Sequence, residues 1–393
     1  MANSPNILGQ SNLRFFPLAV AYSEPPPAPA NGGETVRLIG RSLSVMQKEA
    51  IAVSSHSARA WRLVSDEGAY LDGADEAPPP LAFLSTGMVA SYMRELLALA
   101  EARGIAIDDV ELTLDNYYTM KGSALRGTMI GGAEAPVLTA RIKSDAPREM
   151  LEEMLLRATV ASPLNGLVSG VREGVFTLTH AGKEVAPRRV PRLDSPALGD
   201  PDPHFETISP APGDWSDLLH RGDLTPPSEE TNSSAGSSLT EDQDRRLHIR
   251  AVCTIREDGV KLIRESMFNP RGSMFQFLSD EAVENGGGGR APDAASYLAA
   301  GIGFCFMTQL GRYAKIHKRD LSAYRIVQDI DMTLGGISSA TGEPGDATEP
   351  RTHVYLVSKE DADFGRDLLD MGEQTCFLHA LCRTPLNTRI QLA

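Results

Sequence analysis

Sliding the chain against itself by 214 residues brings its two halves into step without a gap. Ser65-Asp66-Glu67 falls on Ser279-Asp280-Glu281, Gly73 on Gly287, Leu84 on Leu298 and Gly87 on Gly301. Further along, Met93 meets Met307, Ala100 meets Ala314, Ser144 meets Ser358, Leu155 meets Leu369 and Leu164 meets Leu378. Trp61 and Leu63 meet Phe275 and Phe277, which keeps an apolar alternation. Single matches arise by chance, but a constant offset over separated blocks does not. Two long copies imply one domain used twice, not a solenoid of short repeats.

Each copy carries the same predicted order of elements. Thr35 to Ser54 alternates as two strands, and Trp61 begins a third. Pro78-Pro79-Pro80 stops extended structure, and a helix follows from Leu81 to Arg103. Its Leu84, Met88, Tyr92, Leu96 and Leu99 recur at spacings of three and four, one buried face. Val110–Tyr118 and Val137–Ile142 read as strands, Arg148–Val160 as a helix, and Gly174–Thr179 as a last strand. In the second copy Ile249, Ala251 and Cys253 alternate on a strand, and Glu257-Asp258-Gly259 marks a hairpin turn. A helix runs from Pro292 to His317, Tyr324–Leu334 and His353–Val357 are strand-like, Asp361–Thr375 is helical, and Asn387–Leu392 is a closing strand.

Two stretches lie outside the repeat. Residues 1–33 hold Pro25-Pro26-Pro27 and Gly32-Gly33 and are expected as a flexible arm. Residues 185–246, rich in Pro, Ser and acidic groups and containing Ser233-Ser234-Ala235-Gly236-Ser237-Ser238, are expected as an irregular linker. Within it Trp215, Leu218 and Leu219 are apolar enough to dock on a domain. The expected domains are therefore 34–184 and 247–393.

The formal charge of −14 argues against non-specific contact with nucleic acid or anionic membranes. Phe15 to Tyr22 is too short, and broken by Pro17, for a signal peptide. No uninterrupted apolar run has the length of a membrane span. These features predict a cytoplasmic protein with no membrane or nucleic-acid partner. Gly286–Gly289 lacks the Gly-Lys-Ser/Thr ending of a phosphate loop. No His/Cys spacing suits a metal, so none is expected, and no cofactor is.

The four cysteines are Cys253, Cys305, Cys376 and Cys382, all in the C-terminal part of the chain. So low a count fits a reducing compartment. The 214-residue register places Cys305 on Ser91 and Cys376 on Ser162. Serine is nearly isosteric with cysteine but is essentially un-ionised near pH 7 without a base. One half is thus chemically live and the other completes the structure.

Three places resemble the OsmC/Ohr family, the osmotically inducible and organic hydroperoxide resistance proteins. Ala299-Ala300-Gly301-Ile302-Gly303-Phe304-Cys305-Phe306 is similar to the family's first-cysteine helix. Glu373-Gln374-Thr375-Cys376 through Arg383 resembles its second-cysteine segment. Thr254-Ile255-Arg256-Glu257-Asp258-Gly259 resembles the hairpin that supplies its arginine, and Ala161-Ser162-Pro163-Leu164-Asn165 a copy of the second segment without the thiol. The resemblance implies an α+β fold of curved antiparallel sheets around long central helices. Two copies in one chain imply an intramolecular pseudodimer, with further homo-oligomerisation open.

It also implies a thiol-dependent peroxidase acting on small organic hydroperoxides. Cys305 would be peroxidatic, Cys376 resolving, Arg256 the activating cation, and a lipoyl-type or thioredoxin-type dithiol the reductant. Three departures accompany it. Ala294 and Ala295 stand where the family has a glutamate, with Asp293 the nearest acid; Phe377 replaces the usual Pro; and Cys382 is an extra thiol. Other thiol or electrophile chemistry, and non-catalytic binding of a small hydrophobic ligand, remain alternative readings. Each residue also has a packing role open to it. Cys253 suits a core, and Cys382 suits a core with an alternative resolving role. Glu373 suits a solvated helix, and His379 a surface or hydrogen-bond-satisfied position, with holding Cys376 as a thiolate the alternative.

Overall fold

A computed structural model describes residues 5–227, 242–336 and 342–393, apart from 12, 31, 45 and 58. The Ser233–Ser238 tract lies outside the described residues. The architecture is α+β, with two mixed sheets and six α-helices among the described residues.

The chain first forms β1 (Phe16–Pro17), β2 (Glu34–Ser42), β3 (Lys48–Ser54) and β4 (Trp61–Ser65). The long helix α1 (Pro80–Ala102) follows, then β5 (Asp109–Gly122), β6 (Ile130–Ala133) and β7 (Val137–Lys143). Helices α2 (Arg148–Ala161) and α3 (Leu164–Ser169) lead to β8 (Val175–His180) and β9 (Lys183–Val185). After β10 (Leu219–Leu224) come β11 (Gln243–Ile255), β12 (Lys261–Asn269) and β13 (Ser273–Ser279). The second long helix, α4 (Ala294–His317), precedes β14 (Ala323–Thr333), β15 (Asp346–Ala347) and β16 (Arg351–Val357). Helices α5 (Ala362–Thr375) and α6 (Phe377–Arg383) and strand β17 (Arg389–Leu392) end the chain. Elements recur at the sequence offset of 214: β7 against β16, α2 against α5, and Pro80 against Ala294 at the helix starts.

The strands do not sort by half. One sheet runs β1-β4-β3-β2-β14-β16-β8-β9, with β15 on β14; the other runs β10-β13-β12-β11-β5-β7-β17, with β6 on β5. Each sheet therefore joins a three-stranded meander from one half to strands of the other. The joins are antiparallel, β2 with β14 and β11 with β5, while β16·β8 and β17·β7 are parallel. The hairpin between β11 and β12 turns at Gly259, whose φ of +83° suits a residue without Cβ.

Helices α1 and α4 cross in the middle of one continuous core. They meet where neither has a side chain: a Cβ on Gly301 would stand 2.7 Å from Leu84 N, and one on Gly87 2.7 Å from Ala294 O. Helix α4 is long and apolar enough to cross a membrane, but its apolar stretch is wholly enclosed in the molecule.

Both segments outside the repeat differ from expectation. The N-terminal arm packs: Phe15 is 1% exposed, with its ring 5.8 Å from Phe83 and 6.0 Å from Phe277. Residues 185–227 carry β10 and bury Val190, Phe205 and Leu218. Trp215 meets Trp61 edge-on at 6.3 Å. Leu18 and Tyr22 of the arm, with Phe205 and Ile208, cover Ile39, Ile51, Val53 and Val327 on the outer face of the first sheet. That cover explains why every residue of β3 is buried, where a half-exposed antiparallel strand alternates. Strand β11 in the other sheet does alternate.

Candidate active site

Cys305 lies in the middle of α4, and Cys376 lies at the break between α5 and α6. Asp361 caps α5 at its start, and the helix ends where Cys376 leaves helical geometry with ψ at 118°. The Sγ of Cys376 accepts the His379 backbone N–H at 3.5 Å and so begins the next helix.

The two thiols are neighbours: Cys376 and the Leu378 backbone both lie close enough to act on the Cys305 side chain. Both cysteines are free thiols; Cys305 is 2% exposed and Cys376 is fully buried. At the matching positions of the first half, Ser91 Oγ and Ser162 Oγ are 2.7 Å apart. The same two positions are therefore neighbours in both halves, with sulfur in one and oxygen in the other.

A cavity of about 30 Å³ adjoins Cys305, room for one water. Leu71, Leu81, Met267 and Phe377 form its apolar wall, and Glu67, Arg245, Thr308 and Arg312 its polar one. Glu67 accepts from Thr308 Oγ1 at 2.8 Å, and Lys48 Nζ donates to the same hydroxyl at 2.8 Å. Glu67, from the first half, thus lies beside the thiol of the second. Arg245 Nε has no hydrogen-bond partner among the described residues.

Burial governs the protonation of this cluster. It pushes the Cys305 thiol well above its usual range, and the Cys376 contact and the Glu67 charge act in the same direction. Burial also lowers Lys48, whose charge Glu67 helps to keep, and lowers Arg312 to about 9, with Arg245 adding to the effect. Arg245, Arg312 and Lys48 thus share this buried site with the carboxyls of Glu67 and Asp66.

Arg256 is elsewhere. It flanks the β11–β12 turn, is 42% exposed on its side chain, and pairs with Asp258 at 3.4 Å. Arg245 and Arg256 sit at opposite ends of one strand, 11 residues apart, or about 36 Å at ~3.3 Å per residue. The expected activating arginine is thus at the wrong end of β11, because the strand extends back to Gln243 through residues that read as linker. A carboxyl from the first half, Glu67, lines the cavity beside Cys305. Arg312 had a legible signal: Cys305, Thr308, Gln309 and Arg312 form a polar i, i+3, i+4, i+7 stripe on an apolar helix.

Cys253 is buried in β11, where burial raises it to about 12. Cys382, also buried and raised to about 12, lies near enough to Cys305 for their charges to interact. His379 is not on a surface: it is 1% exposed, and its Nδ1 lies 3.2 Å from Cys376 Sγ. Glu373 pairs with Arg383. Among the described residues, no group of three His, Cys, Asp or Glu side chains is placed to hold a metal ion.

No protein-family model matches the chain, and no curated protein matches it. Among solved structures, the crystal structure of an OsmC-like hydroperoxide resistance protein from Jannaschia sp. CCS1 is similar over 32% of this chain and 81% of that one, at 19% identity and a TM-score of 0.20. A likeness of that size carries no argument about chemistry, which rests on the geometry above.

Proposed function

We propose that the chain is a tandem duplication folded as an internal pseudodimer of OsmC-like halves, and that its second half is a dithiol peroxidase. The observation that carries this reading is the 2.7 Å contact of Ser91 with Ser162 at the two positions where the second half has Cys305 and Cys376, whose side chains are near enough to act on each other. A disulfide needs two thiols on neighbouring backbone positions, which this register supplies.

In the proposed cycle Cys305 loses its proton and attacks the outer oxygen of a hydroperoxide. The S–O bond forms, the O–O bond breaks, and the leaving alkoxide takes a proton to become an alcohol. Arg245 and Arg312 are the cations that favour both the thiolate and the alkoxide. Cys376 then displaces hydroxide from the sulfenic acid, and an external lipoyl-type or thioredoxin-type dithiol restores both thiols by exchange. The resting cavity is small, so an organic substrate displaces the wall, with flexible Met267 the side chain best suited to yield. A carboxyl beside Cys305, Glu67, supports the peroxidase reading over the alternative chemistries.

The test is peroxide consumption with cumene hydroperoxide and a dithiol reductant. Wild type is expected to turn over and to form a Cys305–Cys376 disulfide. Cys305→Ser should abolish turnover, and Cys376→Ser should stop after one event with a trappable sulfenic acid. Wild type that consumes no hydroperoxide and forms no such disulfide refutes the proposal.

A further inference from the structure

We propose that His379 is the proton acceptor for Cys376 as this thiol closes on oxidised Cys305. This rests on the dithiol reading above and adds a catalytic residue to it.

The ring is held for one contact. Its Nδ1 is 3.2 Å from Cys376 Sγ, while its Nε2 is buried without a hydrogen-bond partner among the described residues. The hydrogen-bonding contact of the ring is thus with sulfur. Phe306 and Phe176 flank it, with ring centroids 5.3 and 5.6 Å away. A Cβ on Gly174 would come within 2.8 Å of the ring, so the backbone there leaves room for the imidazole.

The other half supplies the contrast. The register places Asn165 opposite His379. Asn165 turns its amide to Gly345 O at 3.5 Å and not to Ser162. The histidine therefore occurs only where there is a thiol to deprotonate.

The charged groups acting on the ring are Glu373 of α5 and Arg383 of α6, which pair with each other. Helix α3 and strand β6, also packed on α6, carry no titratable side chain. From β5, Tyr118 lies near the sulfurs, and burial holds its hydroxyl well above its usual range. From α4 the titratable neighbour is Cys305 itself. Burial lowers His379 to about 4, with Glu373 opposing and Arg383 assisting. The imidazole is therefore neutral, with a lone pair to offer, at every pH above that value.

The step balances. Cys305 carries S–OH and Cys376 carries S–H. The Cys376 proton passes to Nδ1 as its sulfur bonds to Cys305 sulfur. The S–O bond breaks, and hydroxide leaves with the Nδ1 proton as water.

The experiment follows closure by rapid mixing, with dimedone trapping of the sulfenic acid, in wild type and His379→Asn. Sulfenic acid formation at Cys305 should be unchanged, and closure at neutral pH about 10²-fold slower. Wild-type closure should be flat from about pH 5.5 to 8, whereas the variant should gain about tenfold per pH unit as hydroxide replaces the base. Closure at the wild-type rate, or with the wild-type pH profile, overturns the assignment. A parallel arm uses diamide, which needs no peroxide chemistry: it adds to one thiol and is displaced by the other. Peroxide-inert protein whose diamide closure still depends on His379 would reject the peroxidase and keep the histidine. Should His379→Asn fail to fold, the wild-type profile decides alone, since a tenfold rise per pH unit there excludes the base.

Discussion

Arg312 stands two helical turns beyond Cys305 on the face of α4 that lines the cavity. At its place the first half has Ala98, so the cation and the thiols occur in the same half. Arg312→Met keeps much of the volume and removes the charge. It should lower peroxide turnover about 10²-fold, the cost of one preorganised donor, while diamide still closes the disulfide. Turnover equal to wild type would remove Arg312 from the chemistry. A second residue tests the dry interior through pH. Burial raises the Glu265 carboxyl well above its usual range; Thr86 donates to Oε1 at 3.0 Å, and Oε2 has no hydrogen-bond partner among the described residues. The folded state thus binds a proton that the unfolded chain releases near the ordinary carboxylate pKa. The resulting stability is complete below that pKa and is lost as pH rises toward the folded one, at up to ~1.4 kcal/mol per unit. Glu265→Gln does not titrate, so its melting temperature should exceed that of wild type at about pH 8 and not at about pH 4. An advantage independent of pH would show that the folded carboxyl ionises normally. At this scale the sequence disclosed the thiols, because a serine twin marked each one. It hid Glu67 and Arg245, which reach Cys305 only through pairing between halves, and it misplaced Arg256, because a motif match fixes order along a strand but not which end meets the site.

Helices are where local pattern suffices. α1, α2, α4 and α5 follow from apolar spacing bounded by Pro, Asp and Gly, and each forms close to its expected limits. The covering segments were illegible for the opposite reason. Phe15 and Phe205 are isolated apolar residues in polar surroundings, and their partners lie far off in the chain. Ion pairs such as Arg189 with Asp370 and Arg325 with Asp202 also fasten residues 185–227 across long separations, with no periodicity to announce them. The contact between α1 and α4 can be tested directly. At Gly301 the clash is with Leu84 backbone, which cannot rotate away as a side chain would. Gly301→Ala should therefore cost about 1–3 kcal/mol by overpacking. It should also disturb Cys305, one turn further along the same helix. Denaturant unfolding measures the first effect, and stability equal to wild type would mean that the helices part freely at their crossing.

Neither half of the chain completes a sheet. β11 lies along β5 from Gln243 opposite Gly122 to Thr254 opposite Glu111, and β2 lies along β14 from Glu34 opposite Met332 to Arg41 opposite Arg325. Separating the halves would expose four long strand edges together with the apolar faces of α1 and α4, a combination that drives pairing with another chain. The site shares this dependence, since Lys48 and Glu67 come from one half and Cys305 and Cys376 from the other. Fragments 1–227 and 242–393, made together, should therefore associate one to one and recover disulfide formation. Fragment 242–393 alone should aggregate or pair with itself. A self-paired fragment would offer Lys261 and Glu281, which already bond each other at 2.8 Å, in place of Lys48 and Glu67. It would lack the arm and the Phe205 segment that cover one sheet. Sedimentation and circular dichroism decide the matter: a monomeric, fully folded 242–393 fragment would mean that the interleaved strands are dispensable and that the halves are independent domains.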